Sequence, residues 1–217
     1  MAQETEIKLK ITDTRALRRN LKRLRARTLN GGTGRLHEWN TIFDTPQGGL
    51  AKHGQLLRIR TETSEGGAKK GAKKEPRVVL TFKRPTTASI AIPGKEREPL
   101  RHKVREEIEL EVADGNLLAR IFEGLGMAGW FRYEKFRTTF TLPASARWAK
   151  DLLIELDETP IGTFVELEGP AEAIDRAAQE LGYSKRDYIL KNYLVLYVEE
   201  CRRQGKEPRN MVFAAEK

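Results

Sequence analysis

The chain has 217 residues, a formal net charge of +9 and a single cysteine, Cys201. That length allows one sizeable core in one domain, and a lone cysteine excludes an intrachain disulfide and a cysteine-built zinc site. No run approaches the ~20 apolar residues that span a bilayer and residues 1–30 carry no apolar signal segment, so a soluble, cytoplasmic protein without a membrane role is expected.

In chain order, Met1 to Lys10 reads M-A-Q-E-T-E-I-K-L-K. Side chains alternate across a strand, so Glu4, Glu6 and Lys8 share one face and Thr5, Ile7 and Leu9 the other. Asp13 caps a helix carrying Leu17, Leu21 and Leu24, whose basic residues form a solvated face. Gly31 to Gly34 reads as a turn. Further alternation predicts strands near 38–44, 55–62 with Arg58 and Arg60, 77–84 with Thr81 and Lys83, and 104–113 with Glu107, Glu109 and Glu111. Between them, Ser64 to Pro76, rich in Gly, Ala and Lys, and Arg84 to Lys103, with three prolines, read as long loops.

Asp114 caps a helix with Leu118, Ile121 and Leu125, stopped by Gly126. Strands near 131–142, 151–158 and 162–169 carry Lys135 and Arg137, Glu155 and Asp157, and Glu166 and Glu168. Pro170 suits the first turn of a helix presenting Ile174, Ala177, Ala178 and Leu181, ended by Gly182. Ser184 and Asp187 form a capping box opening a helix with Tyr188, Tyr193, Leu196 and Val198. The main domain spans 1–204; residues 205–217 form a tail in which Met211, Val212 and Phe213 can dock.

About eight antiparallel strands can close into a barrel, which removes sheet edges and leaves room for a small ligand. The expected fold is therefore α+β, a closed antiparallel barrel of about eight strands with surrounding helices. The helices need an apolar surface, so Ile7, Leu9, Leu57, Ile59, Leu80, Phe82, Ile108, Leu110, Ile154, Leu156, Val165 and Leu167 face outward beneath them, and the charged stripes face inward. The competing arrangement puts charges in water around an apolar core. It leaves unexplained why neighbouring strands carry opposite charges in the same phase.

The ordered segments F-D-T-P, L-R-I-R, L-T-F-K, R-E-E-I-E, E-K-F-R, E-L-D-E-T-P-I-G-T-F-V-E-L-E-G and L-K-N-Y-L, after the N-terminal Glu-x-Glu-x-Lys, resemble the CYTH family of triphosphate tunnel metalloenzymes. That family includes class IV adenylyl cyclases, thiamine triphosphatases and inorganic triphosphatases. The resemblance covers most of the chain.

Ions confined in a cavity must pair, stay hydrated or be met by ligands. A divalent cation answers the inward acids and a polyphosphate the bases. Carboxylates with phosphate oxygens suit Mg²⁺ or Mn²⁺, whereas the scattered His37, His53 and His102 give no zinc spacing. Arginine's planar fork binds two phosphate oxygens and keeps its charge.

Arg58, Arg60, Lys83, Lys135 and Arg137 are accordingly assigned to a triphosphate, and Glu4, Glu6, Asp157, Glu166 and Glu168 to metal, directly or through water. Glu107, Glu109 and Glu155 support them. Lys8 binds phosphate or positions the attacking water; with Arg58, Arg60 and Lys83 it forms the expected catalytic set. Lys191 resembles a C-terminal family position able to reach the tunnel mouth, with a solvated helix position as the alternative.

The leading expectation is metal-dependent hydrolysis of inorganic tripolyphosphate or of a small organic triphosphate such as thiamine triphosphate. One alternative is a class IV adenylyl cyclase making cyclic AMP and pyrophosphate. Another is a non-catalytic polyphosphate or nucleic-acid binder; the absence of aromatic residues among the basic clusters weighs against nucleic acid.

Overall fold

A strand that alternates charged and apolar side chains must satisfy both faces, and this chain does so by closing its sheet around the charges. The computed structural model describes residues 2–29, 34–65, 75–86 and 101–214. Within them run β1 (Ala2–Ile11), α1 (Thr14–Arg23), β2 (Arg27–Thr28), β3 (Arg35–Asp44), α2 (Gly49–Lys52), β4 (Leu56–Glu65), β5 (Arg77–Pro85) and β6 (Lys103–Val112). The second half adds α3 (Gly115–Gly124), β7 (Ala128–Thr141), β8 (Leu153–Thr159), β9 (Gly162–Glu168), α4 (Ala171–Glu180) and α5 (Tyr193–Arg203). Residues 30–33, 66–74 and 87–100, where a turn and most of the two long loops are expected, lie outside the described residues.

The sheet runs β7-β3-β4-β5-β6-β1-β9-β8, and β8 pairs back onto β7, giving a closed antiparallel barrel of eight strands. The two-residue β2, which alternation does not reveal, extends the β3 side of β7 through Thr28 and Phe140. Directly opposed residues of an antiparallel pair point to the same face. The pairs Lys8 with Glu166, Arg58 with Thr81, Thr81 with Glu109, Lys83 with Glu107 and Arg137 with Asp157 therefore fix a common inward phase.

The apolar face turns outward. Ile7, Leu9, Ile154, Val165 and Leu167 are buried with Leu17 and Leu21 of α1, with Ala173, Ile174, Ala177 and Ala178 of α4 and with its C-cap Leu181. Phe122 and Leu118 of α3 cover Phe43, Leu57, Ile59, Val78 and Leu80. Ile108 and Leu110 face outward without the expected helix above them and stay 50% and 59% exposed, because α3 packs on β3, β4 and β5 instead of β6.

Capping follows the expected logic with two shifts. Asp13 accepts from Ala16 N at 2.9 Å, and Asp114 from Asn116 N and Leu117 N. Pro170 is the N-cap of α4 and precedes its first turn. The Ser184–Asp187 capping box exists but closes a single 3₁₀ turn, Lys185–Asp187. The chain then extends, because Ile189 exchanges two 2.9 Å backbone bonds with Lys8; Tyr188 stays outside the helix, and α5 starts with Asn192 as its cap. The F-D-T-P segment is a structural corner: Asp44 gathers the N–H groups of Thr45, Leu50 and Ala51 into α2.

Gly169, between β9 and α4, adopts φ +143, and a Cβ there would lie 2.6 Å from Asp151 O, so only glycine fits. Among the described residues, no helix is long and apolar enough to cross a membrane.

Placing the core outside the barrel has a direct test. Ile174→Ala, which removes a side chain with 0% exposure, should cost about 2–5 kcal/mol in urea unfolding. Leu110→Ser should stay within about 0.5 kcal/mol of the parent. Equal shifts for the two would mean that the core does not lie between α4 and the barrel.

Candidate active site

Inside the barrel is a cavity of about 290 Å³. Glu4, Glu6, Lys8, Arg58, Arg60, Lys83, Glu107, Glu109, Lys135, Arg137, Glu155, Glu166 and Glu168, all expected inward, line it. One end is covered by α5 and an apolar cluster of Ile42, Phe131, Tyr133, Phe164, Tyr193 and Met211.

Register sorts the charges along the barrel. From the covered end outward, β1 presents Lys8 then Glu6 and Glu4, β4 presents Arg58 and Arg60 then Glu62, and β6 presents Lys103 and Arg105 then Glu107 and Glu109. Along each of these three strands the cations lie nearer the covered end than the carboxylates that follow them, while pairing between strands sets Arg105 opposite Glu4 and Lys83 opposite Glu107. A small anion held deep and a cation held nearer the opposite end would both meet complementary charge.

The buried ions are heavily paired. Lys8 Nζ lies 3.4 Å from Glu6 and 3.3 Å from Glu166. Burial opposes its charge, but Glu166 and Glu6 outweigh burial and hold the ammonium above the usual lysine range. Lys83 contacts Glu4 at 2.7 Å and Glu107 at 3.0 Å. Arg58 donates to Tyr133 Oη at 3.0 Å and Thr81 Oγ1 at 3.1 Å, and Thr81 donates on to Glu109 at 2.9 Å. Arg60 contacts Glu62 at 2.8 Å and Glu109 at 3.2 Å. Arg137 bridges Asp157, Glu155 and Glu166.

Three carboxyls are not balanced. Burial pushes Glu107 up to about 7 against the pull of Lys83. Burial does the same to Glu155, to about 7, although Arg137 touches it. Burial, then Glu155 and Glu4, raise Glu168 to about 8. By contrast, Lys8 and Lys103 overcome burial and hold Glu6 at about 2, and Lys135 and Arg137 do so for Glu38.

Two expected residues sit elsewhere. Asp157 points inward but is 0% exposed beneath the lining side chains, its oxygens taken by Lys135 at 2.8 Å, by Arg137 at 2.7 Å twice and by Tyr193 Oη at 2.7 Å. Engaged in this way, it orients Lys135 and Arg137 and is absent from the lining. Lys191 is off the lining, its side chain 53% exposed and paired to Glu199 at 2.7 Å, because the extended run before α5 turns it outward.

Sequence reasoning missed Glu38, Glu62, Lys103, Arg105, Tyr133 and Tyr193, which also line the cavity. Lys103 and Arg105 share the phase of Glu107 and Glu109, so alternation could have found them, whereas Glu38 shares its phase with Leu36, Asn40 and Ile42, a stripe of mixed polarity. Tyr193 lies in the first turn of α5, where no period-two signal exists. The histidines stay outside the lining: His37 bonds Glu134 at 2.7 Å, His53 bonds Gly49 O at 2.7 Å and His102 bonds Asp175 at 2.9 Å.

Among the described residues, no three acids converge as they stand in a cluster that could hold a metal ion. Their chemistry still fits one. Glu107, Glu155 and Glu168 are all-oxygen donors whose proton affinity is raised first by burial, and hard divalent cations stabilise such buried carboxylates.

The imbalance sets a pH dependence. These three carboxyls titrate above the 4.5 of an unperturbed Glu. The stability they contribute is complete below about pH 4.5 and is lost as pH rises through about 7 to 8. Glu6 and Glu38, held near 2, act oppositely and withdraw stability only as pH falls from 4.5 toward 2. The ligand-free protein should therefore show its highest Tm near pH 5 and a decline toward pH 8.5, and Glu168→Gln should flatten that decline. A parental Tm that is level or rising across this range would contradict surplus acid in the cavity.

Residues 2–193 match the CYTH domain. The PH1819 protein of Pyrococcus horikoshii is similar in structure, with a TM-score of 0.65 at 21% identity over 91% of this chain and 99% of that one. A candidate adenylate cyclase of Vibrio parahaemolyticus gives 0.64 at 17% identity, over 88% and 94%. A candidate adenylyl cyclase of Hippeastrum, described as having a dominant triphosphatase activity, gives 0.51 at 20% identity, over 94% and 97%. At these identities the structural likeness speaks to the fold. No curated protein matches the sequence. With the domain match spanning β1 to the start of α5, and a closed barrel lined by charges behind it, the chain belongs to the CYTH family.

Proposed function

We propose that the protein hydrolyses a triphosphate with the help of a divalent metal, Mg²⁺ or Mn²⁺, and releases orthophosphate. The observation that carries this reading is the mixed charge of one enclosed lining, in which Lys8, Arg58, Lys83, Lys103, Arg105 and Lys135 share the cavity with Glu4, Glu107, Glu155 and Glu168, Arg105 standing opposite Glu4 and Lys83 opposite Glu107. Members of the CYTH family bind triphosphates and generally use divalent metals.

The internal ion pairs act as stand-ins for ligands. A phosphate oxygen that takes Lys83 or Arg137 frees the carboxylates now holding them, and a freed buried carboxylate needs a new cation. Anion and metal binding are thereby coupled. Glu4, Glu6, Glu166 and Glu168 would hold the metal, with Glu107, Glu109 and Glu155 around them. When bound, the metal supplies charge neutralisation on phosphate oxygens.

The chain's own side chains do the rest. Arg58 and Arg60 offer guanidinium forks, and Lys83, Lys135 and Arg137 add charge where it builds on bridging and leaving oxygens. Lys8, pinned between Glu6 and Glu166, stays protonated, so it binds phosphate or orients the incoming water and does not abstract its proton. Asp157 holds Lys135 and Arg137 in place.

Adenylyl cyclase chemistry needs the adenosine fixed so that the ribose oxygen meets the α-phosphorus. The cavity tyrosines lie at the covered end and are already engaged, Tyr133 with Arg58 and Tyr193 with Asp157. This favours hydrolysis: ATP, where accepted, should yield ADP and phosphate. Metal-dependent cyclic AMP with equimolar pyrophosphate would instead establish the cyclase.

Arg58→Ala should lower kcat/KM for tripolyphosphate about 10- to 150-fold, the worth of one charge-assisted contact, with partial rescue by Arg58→Lys. Glu4→Gln and Glu6→Gln should lose most turnover while unfolding normally. In calorimetry, Mg²⁺ should tighten tripolyphosphate binding and tripolyphosphate should tighten Mg²⁺ binding by the same factor. Tight, metal-independent polyphosphate binding without phosphate release in any metal would identify a non-catalytic binder.

A further inference from the structure

Beyond residue 193, outside the span that matches the family domain, the chain completes α5 and then returns to the barrel. It meets β7 along an edge that β8 leaves free, since β8 pairs only with Phe136 to Phe140. Met211 N donates to Arg132 O at 2.9 Å, and Glu134 N donates to Met211 O at 3.0 Å. Arg132 N donates to Asn210 Oδ1 at 2.9 Å, and Phe213 N donates to Glu134 Oε1 at 2.6 Å. From α5, Tyr197 Oη donates to Asn210 O at 3.1 Å. Residues 210–213 thus form a strap that laces α5 to β7.

The strap reaches the cavity through one side chain. Met211 is 0% exposed and packs in the cluster containing Phe131, Tyr133 and Tyr193. The Tyr133 hydroxyl accepts from Arg58 Nη1 at 3.0 Å, while Thr81 accepts from Nη2 at 3.1 Å. These two oxygens hold the guanidinium from both nitrogens. Glu109 lies 3.8 Å from Arg58. Should the tyrosine ring shift, the guanidinium loses one of its two guides and can turn toward that carboxylate. Bidentate phosphate binding depends on the orientation of the fork, so a small rotation matters more here than at an isolated surface arginine.

We propose that the 210–213 strap is a positioning element for the triphosphate site: Met211 fixes the ring of Tyr133, and Tyr133 aims Arg58. The proposal rests on the triphosphatase reading above. Met211 acts only through Tyr133 and touches no reacting atom. The packing that holds α1, α3 and α4 on the barrel does not include Met211, so its truncation leaves those clusters intact.

A double-mutant cycle tests this. Met211→Ala, Tyr133→Phe, the double variant and Met211→Leu are compared for kcat and KM with tripolyphosphate and Mg²⁺, at a temperature where urea titration shows each to be folded. Each of the first two should lose about tenfold in kcat/KM, the scale of one hydrogen bond to a charged group. The double variant should be no worse than Tyr133→Phe alone, and Met211→Leu, which refills the space, should recover most of the activity. Independent, multiplying losses would overturn the proposal, as would a folded Met211→Ala protein with parental kinetics. A parent protein that neither binds nor hydrolyses tripolyphosphate would be a different failure: it would remove the triphosphatase reading, and the strap's role with it.

Discussion

An ion buried without a partner costs several kcal/mol, and this barrel holds many ions in about 290 Å³. The rest of the structure follows from that constraint. Because the charges take the inside, the apolar faces of β1, β8 and β9 must be covered from outside, which is the task of α1 and α4. Because each cation sits among carboxylates, the register between strands is tightly specified: sliding β1 by one residue against β9 would carry Lys8 away from Glu166 and turn Ile7 and Leu9 into the cavity. Closure removes every long edge of the sheet, and the residual free edge of β7 is taken by Met211 and its neighbours.

Pairing alone does not neutralise the cavity uniformly. Near the covered end Lys103 and Arg105 carry weakened proton affinity, first through burial and then through neighbouring cations, Lys8 for Lys103 and Arg58 for Arg105. Arg105 donates to carbonyl oxygens, Gly54 O at 2.7 Å and Lys83 O at 3.4 Å. Further along, Glu107, Glu155 and Glu168 carry the opposite excess. Cations and carboxylates that burial disfavours within one cavity suit a ligand pair, an anion and a cation bound in contact. Neither a uniformly acidic metal store nor a uniformly basic anion trap would have this layout.

Alternation made the strands and their inward phase legible, because period two is a local signal and one buried face suffices to show it. Glu4, Glu6 and Lys8 alone place β1 and its orientation. Caps such as Asp13 and Asp114 were equally local. What could not be read was depth and long-range pairing. Asp157 has the phase of a cavity residue, but only the distances to Lys135, Arg137 and Tyr193 reveal that these side chains cover it. The start of α5 was misplaced because Ile189 pairs with Lys8, a partner far away in sequence. Glu38 sits among Leu36, Asn40 and Ile42, an inward stripe too mixed in polarity to announce itself, and Tyr193 enters from a helix with no stripe at all.

The two tyrosines among the missed residues share a physical role that explains their placement. Tyr193 lies with its ring 5.4 Å from Lys8 Nζ and 5.2 Å from Lys135 Nζ, and its hydroxyl bonds Asp157. Aromatic faces attract ammonium groups and, unlike carboxylates, leave no charge behind when the ammonium turns to a phosphate. Tyr133 does the comparable service for Arg58 through a neutral hydroxyl. Lys8 and Lys135 thus have a neutral aromatic partner beside their carboxylates, one that holds them in position without cancelling their charge. A cradle built only from carboxylates would have to be dismantled before an anion could bind, whereas one finished with tyrosines keeps its geometry while the anion takes over the charge.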